Sequence, residues 1–154
     1  MKRFVKIMAI LCVLGVFFAF TACDGEKRAT KEEKTVSIIV AFDGEALSYS
    51  VTDEIATLED AMNALKEKNE QFTFVAENSE YGLFVTEVCG RGAQGNEFWG
   101  FYTDRIFSDA NGLPNAYEET FVELSGVTYY MCAQGISNQA VADGETILFY
   151  LGKF

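Results

Sequence analysis

The side chains of this 154-residue chain that could do chemistry are its four cysteines and its excess of carboxylates. The sequence contains no histidine. The lack of histidine removes Ser-His-Asp and Cys-His nucleophile systems, histidine zinc sites and an imidazole pH switch. Carboxylate pairs remain available for hydrolysis, but no spacing in the chain selects one pair. We therefore interpret the chain as a non-enzymatic binding domain, and keep a carboxylate-dependent surface enzyme as an alternative.

Cys23 follows a segment with the features of a secretory signal. Basic residues come first, and Ile7–Ala22 is then an uncharged, mostly apolar run of about 16 residues, shorter than the roughly 20 that a transmembrane helix needs. The small residues Thr21 and Ala22 before Cys23 resemble a bacterial lipoprotein signal. We predict a signal peptide helix over residues 1–22 and lipid attachment to Cys23. An ordinary signal peptide followed by a structural cysteine is the alternative.

The predicted lipid anchor makes the membrane the first partner of the chain. Residues 23–34 contain no large apolar side chain, which indicates a flexible tether with a reach of about 18 Å by random-coil scaling. The chain has 12 basic and 23 acidic residues and a net charge of −11. Such a charge fits neither nucleic acid nor an anionic lipid surface, so attachment depends on the lipid itself.

Cys89 and Cys132 are the two cysteines that remain in the exported part of the chain. A disulfide between them is one interpretation, since exported proteins occupy oxidising compartments. Two separate buried or half-buried thiols are the other interpretation. We expect no metal at these cysteines, because zinc takes four nitrogen or sulfur ligands.

Aromatic side chains are the candidates for contact with a ligand, because an exposed Trp or Tyr can stack on a flat molecule or a sugar ring. Trp99 and Tyr102 lie in one aromatic segment, and strand alternation places them on opposite faces. Tyr129 and Tyr130 also point to opposite faces of one strand. We take these four residues as candidate ligand-binding residues, with burial in the core as the alternative, which we favour for Trp99.

Two loops have some features of ligand-binding loops but favour simple turns. Gly90–Gly95 is glycine-rich, yet an aromatic strand and not a helix follows it, which is unlike a phosphate loop. Phe107–Glu118 carries acidic residues at calcium-loop spacing, but Phe107 cannot ligate calcium at the first position. We interpret it as a turn with Asx hydrogen bonds, and we predict no bound metal or cofactor.

One helix and several strands must position these residues. Asp43-Gly44 predicts a hairpin turn, and Thr57 with Asp60 predicts the capped start of a helix whose apolar residues recur at helical spacing. The segment between residues 104 and 119 is predicted to be irregular. A single helix on a mixed sheet indicates an α+β, β-grasp-like domain over residues 35–154, after the signal and the tether. Strands are predicted at residues 35–42, 46–51, 72–76, 83–88, 97–103, 121–124, 127–132 and 146–151.

Four sequence segments resemble a bacterial family of domains of unknown function related to the transcobalamin C-terminal domain. They are T-L-x-D-A-M from Thr57, Y-G-L-F-V-T-E-V-x-G from Tyr81, F-W-G-F-Y-T from Phe98 and V-A-D-G-E-T-I-L-F-Y from Val141. The resemblance covers residues 36–151. It implies a β-grasp-like fold and an exported lipoprotein on the outer face of the cell membrane of a Gram-positive bacterium.

The same resemblance bears on the ligand. In transcobalamins the related domain covers one face of a bound corrinoid, so a corrinoid-binding accessory lipoprotein with cobalamin as ligand is an alternative function. The main interpretation leaves the ligand open, as an unidentified small molecule, a glycan or a surface protein.

Overall fold

β-Branched and alternating apolar residues build nine strands around one helix in residues 29–79 and 82–154, which the computed structural model describes. The predicted signal helix over residues 1–22 and the predicted lipid site at Cys23 lie outside the described residues. The elements are β1 (Glu32–Phe42), β2 (Glu45–Ile55), α1 (Leu58–Lys68), β3 (Phe74–Ser79), β4 (Gly82–Val88), β5 (Arg91–Gly92), β6 (Glu97–Thr103), β7 (Ala116–Leu124), β8 (Val127–Cys132) and β9 (Glu145–Lys153).

Six strands form the main sheet, in the order β2-β1-β9-β6-β8-β7. β1 runs parallel to β9, with Ile38 opposite Ile147, and every other pair in this sheet is antiparallel. The predicted α+β class with a mixed sheet is therefore confirmed. A second, antiparallel sheet of β3, β4 and β5 was not predicted, because the two residues of β5 lie within a glycine-rich segment that favours a turn.

The β1–β2 hairpin turns at Asp43 and Gly44, as predicted. Both residues have positive φ, 52° and 84°, which is the conformation that a two-residue hairpin turn with the natural strand twist requires. Phe42 is then paired with Glu45, and the ladder continues to Glu32 opposite Ile55. This long ladder explains why β1 begins at Glu32, three residues before the predicted domain boundary.

α1 begins with the predicted capping box. The Thr57 side chain accepts the backbone N–H of Asp60, and the Asp60 carboxylate accepts the backbone N–H of Thr57. The side chains at helical spacing on one face are all buried, namely Leu58, Ala61, Met62 and Leu65. They pack in one core with Ile38 and other residues of the main sheet, so the helix covers one face of that sheet.

The opposite face of the main sheet carries a second, smaller apolar cluster. Ala41, Tyr102, Tyr129 and Leu148 form this cluster, which we call the tyrosine face. They come from four neighbouring strands, and strand alternation turns them away from the helix-covered core.

β7 begins at Ala116, so the predicted irregular segment ends four residues earlier than expected.

Within residues 29–79 and 82–154, no helix combines the length and the apolar character that crossing a bilayer would require.

Candidate binding cleft

A cleft of about 500 Å³ opens where the start of α1 meets two loops of the described chain. Its volume lies within the range of about 300–1,000 Å³ that is usual for small-molecule sites. Three walls surround it: the first turn of α1, the loop between β6 and β7, and the loop between β8 and β9. Hydroxyl, amide and carboxylate side chains predominate on these walls, and no lysine, arginine or aromatic residue from the described ranges lines them.

Asp60 forms the helix wall. One carboxylate oxygen accepts the backbone N–H groups of Ala56 (3.1 Å) and Thr57 (3.2 Å), and the other lies 2.7 Å from Lys31 Nζ. Burial alone would raise the pKa of Asp60, but the hydrogen bond from Lys31 and those from the backbone lower it below its ordinary value. The carboxylate is therefore ionised and held in place.

Asp109 forms the second wall with the predicted Asx turn. Its Oδ1 accepts the backbone N–H groups of Asn111 (2.8 Å) and Leu113 (2.9 Å), and its Oδ2 lies 3.5 Å from the amide nitrogen of Gln134. The hydrogen bond from Leu113 contributes most to lowering the pKa of Asp109. Asp109 thus joins the two loops across the cleft.

The third wall is the loop between β8 and β9, which is hydrogen-bonded to the start of α1. The backbone N–H groups of Leu58 and Glu59 donate to the carbonyl oxygens of Gln139 (2.9 Å) and Ile136 (3.0 Å). The first N–H groups of a helix lack partners within the helix, so this loop satisfies them. The contact fixes the loop that carries Ser137 and Asn138 into the cleft lining.

Two wholly buried amides connect the loops from beneath. The Gln139 side chain donates to the carbonyl oxygen of Asn115 (3.0 Å) and accepts the backbone N–H of Gln134 (3.3 Å). The Asn115 side chain accepts the backbone N–H of Phe107 (2.7 Å) and donates to the carbonyl oxygen of Arg105 (2.9 Å). Because each buried amide is satisfied at both ends, the network holds the walls in one arrangement.

Glu145 is a third buried polar residue in this region. Its carboxylate accepts hydrogen bonds from the Thr103 hydroxyl and from the backbone N–H of Ala142. Burial raises the pKa of Glu145 above its ordinary value, although these two hydrogen bonds oppose the shift.

The predicted ligand-binding aromatic residues lie away from the cleft. Tyr102 and Tyr129 come together on the tyrosine face, where both are buried. Trp99 lies in the helix-covered core, and its indole N–H donates to the carbonyl oxygen of Arg91 (3.0 Å). Tyr130 is half-buried beside Phe121, with ring centroids 6.4 Å apart.

Cys89 and Cys132 are both free thiols in the structure. Cys89 Sγ lies 3.5 Å from the hydroxyl of Tyr49, and burial followed by this contact raises the pKa of Tyr49 to about 12. Cys132 is buried, and burial and then the neighbouring Glu145 raise the pKa of its thiol.

The cleft itself was missed by reasoning from the sequence. The capping box and the Asx turn were predicted as local structures, but nothing in the sequence places them at one site. The buried amides of Gln139 and Asn115 bring the capping box and the Asx turn together, and these two residues have no distinctive sequence pattern. In the described ranges, no group of three or more Cys, Asp or Glu side chains is arranged to hold a metal ion.

In comparisons with known proteins, only solved structures match this chain. Neither a protein-family model nor a curated protein sequence matches the chain significantly. Seventeen chains of solved structures match. One is haptocorrin in complex with Cbi, with a TM-score of 0.56 and 18% identity over 87% of this chain and 28% of that chain.

A second match is a proposed metal binding protein from Ruminococcus gnavus ATCC 29149, with a TM-score of 0.52 and 17% identity over 79% of this chain and 99% of that chain. At these identities the likeness concerns the fold alone, and the chain spans little more than a quarter of the haptocorrin chain. The expected likeness to a transcobalamin-type domain is thus supported at the level of the fold, which this chain shares with haptocorrin.

Proposed function

We propose that this chain is a non-enzymatic domain that binds a small polar molecule in the cleft beside α1, and that a lipid on Cys23 holds it at the outer face of the cell membrane. The observation that carries the proposal is the cleft itself, with three walls fixed to one another by hydrogen bonds. Walls that are already in place cost little entropy to order when a ligand binds, so they favour affinity.

The state of the carboxylates disfavours general-acid catalysis in the cleft. Asp60 and Asp109 line the cleft, and hydrogen bonds lower the pKa of both. A general acid that works near neutral pH needs a raised pKa, so neither residue suits that role. Fixed, ionised carboxylates instead give the walls of the cleft a defined arrangement before a ligand binds.

The architecture supports a β-grasp-like assignment. The β1–β2 hairpin, the helix that follows it and the central parallel pair of β1 and β9 are the features that we expect of such a fold. The fold shared with haptocorrin is compatible with a domain that contributes a surface to ligand binding.

A thermal-shift screen of the full chain with neutral, cationic and anionic polar compounds tests the proposal. Ala110 is exposed and lines the cleft, so Ala110→Trp should fill it, while Ala46→Trp adds the same side chain to β2 outside the cleft. A true ligand should raise the melting temperature of the wild type and of Ala46→Trp but not of Ala110→Trp. Equal stabilisation of both variants, or no stabilising compound at all, would contradict the proposal.

Corrinoid binding is the second candidate, because the fold shared with haptocorrin in complex with Cbi extends over 87% of this chain. No aromatic residue of the described chain lines the cleft, so we place a large flat ligand on the tyrosine face, where Tyr150 is 39% exposed next to the buried Tyr102. Titration of cobalamin with the full chain should then change the visible absorbance, and Tyr150→Ala should weaken that change. An unchanged spectrum would remove this candidate.

A further inference from the structure

We propose that the ligand of the cleft is a neutral polyhydroxylated molecule, that is, a sugar or the end of a glycan. This inference rests on the proposed function and names the class of ligand for the same site. Some polar groups of the cleft already have hydrogen-bond or ion-pair partners in the protein, and the remaining ones are available to a ligand.

Two of the three carboxylates are occupied by the protein's own groups. Asp60 is hydrogen-bonded to backbone N–H groups and paired with Lys31. Asp109 accepts two backbone N–H groups and approaches the Gln134 amide. Lys31 compensates the charge of Asp60, and hydrogen bonds hold the Asp109 carboxylate in place, so both carboxylates shape the walls.

Three other side chains of the lining have no hydrogen-bond or ion-pair partner within residues 29–79 and 82–154. They are the carboxylate of Glu59, the hydroxyl of Ser137 and the amide of Asn138. Glu59 and Ser137 are half-buried, and Asn138 is exposed. The backbone N–H of Glu59 is bonded to Ile136, so the helix start and the loop that carry these groups are joined.

The available groups complement a row of hydroxyls. A carboxylate only accepts hydrogen bonds, whereas a hydroxyl and a primary amide both donate and accept. Neighbouring sugar hydroxyls can donate to Glu59 and can exchange hydrogen bonds with Ser137 and Asn138. The apolar side chains of Ala110 and Leu113 in the same lining suit the C–H groups of a sugar ring.

Charge and shape disfavour the other ligand classes. Among the described residues the lining has no lysine or arginine, and the Glu59 and Asp109 carboxylates have no ion-pair partner, so phosphates and carboxylic acids are repelled. Glu59 lies in the first turn of α1, where the helix dipole already stabilises a negative charge without a cation. A flat aromatic ligand finds no aromatic side chain to stack on among the described residues of the lining.

Saturation-transfer NMR with the full chain, in a detergent that has no sugar headgroup, tests this inference. The probes are glucose, galactose, mannose and N-acetylglucosamine, with glucose 6-phosphate as the anionic comparison and choline as the cationic one. At least one neutral sugar should bind. Glu59→Gln and Asn138→Ala should each weaken that binding about tenfold, which corresponds to about 1.4 kcal/mol.

Glu123→Gln is the matched control, because Glu123 is exposed on β7 outside the cleft lining. It should leave sugar binding unchanged, and circular dichroism should show all three variants folded. The inference is overturned if no neutral sugar binds, if the two cleft variants bind as the wild type does, or if glucose 6-phosphate or choline binds more tightly. Binding of another compound that Ala110→Trp abolishes would, in that event, preserve the proposed function while rejecting the sugar.

Discussion

At the scale of single residues, the start of β9 carries a carboxyl group that is costly to ionise. Glu145 is fully buried, and its neighbours Thr103 and Ala142 supply two hydrogen bonds. Asp104 raises its pKa further and Arg105 opposes that effect, but burial is the largest cause of the upward shift. An ionisable group with a raised pKa makes the free energy of unfolding depend on pH.

Glu145→Gln should reveal this dependence. Because the folded pKa lies above the ordinary value of 4.5, the contribution of Glu145 to stability is full below that value and is lost as the pH rises through the folded pKa. Glutamine cannot ionise, so the variant should gain stability relative to the wild type as the pH is raised from 4.5 to 8. Urea denaturation at several pH values measures the difference, with exposed Glu118→Gln as control. A constant difference across this range would refute the ionisation.

The two thiols should differ in reactivity. Cys89 is half-buried and Cys132 is buried with a raised pKa, and only the thiolate form reacts readily. In the native protein, a thiol reagent at pH 8 should label Cys89 before Cys132, with both labelled after unfolding. Peptide mass mapping assigns the sites. If neither cysteine reacts even in the unfolded, non-reduced chain, the two are bridged.

At the scale of elements, one capping box both starts α1 and contributes side chains to the cleft. Thr57 and Asp60 satisfy backbone N–H groups at the start of the helix, and the same two side chains line the cleft. Lys31, just before β1, adds an ion pair to Asp60. The local sequence that starts the helix therefore also sets the position of one wall.

Thr57→Ala should lower the free energy of unfolding by about 1 kcal/mol, because it removes the acceptor for the Asp60 N–H. Urea denaturation measures the loss. Thr73→Ala is a suitable control, since Thr73 is exposed in the segment before β3. Equal stability of the two variants would mean that the cap contributes nothing.

At the scale of the whole molecule, one residue of the cleft lining is close in sequence to the predicted anchor. Ala29 lines the cleft and is six residues from Cys23, so the chain between them can span at most about 20 Å. A domain attached through a lipid on Cys23 would therefore hold the cleft near the membrane surface.

Cys23→Ser should release the chain from the membrane fraction, because two acyl chains on the predicted lipid site would provide the stable attachment. Immunoblots of membrane and soluble fractions measure the change, and Cys89→Ser should stay with the membrane. If the Cys23→Ser protein remains tightly bound to membranes, the apolar segment Ile7–Ala22 serves as an anchor in its own right.

The sequence by itself determined the local elements, since these depend on neighbouring residues. Hydrophobic spacing predicted the buried stripe of α1, Thr57 and Asp60 predicted its cap, and Asp43-Gly44 predicted the hairpin turn. Each of these signals is formed by residues that are close together in the sequence. β-Branched, aromatic and alternating apolar residues likewise predicted the strands other than β5.

Only the tertiary structure decided where distant residues meet. The parallel pairing of β1 with β9 joins the two ends of the domain, and it was not encoded in any local pattern. Strand alternation separated Trp99 from Tyr102, but the packing of α1 on one face determined which of them entered the main core. The cleft exists because the buried amides of Gln139 and Asn115 bring two loops to the start of a helix, and hydrogen bonds between residues so far apart in sequence form only once the chain has folded.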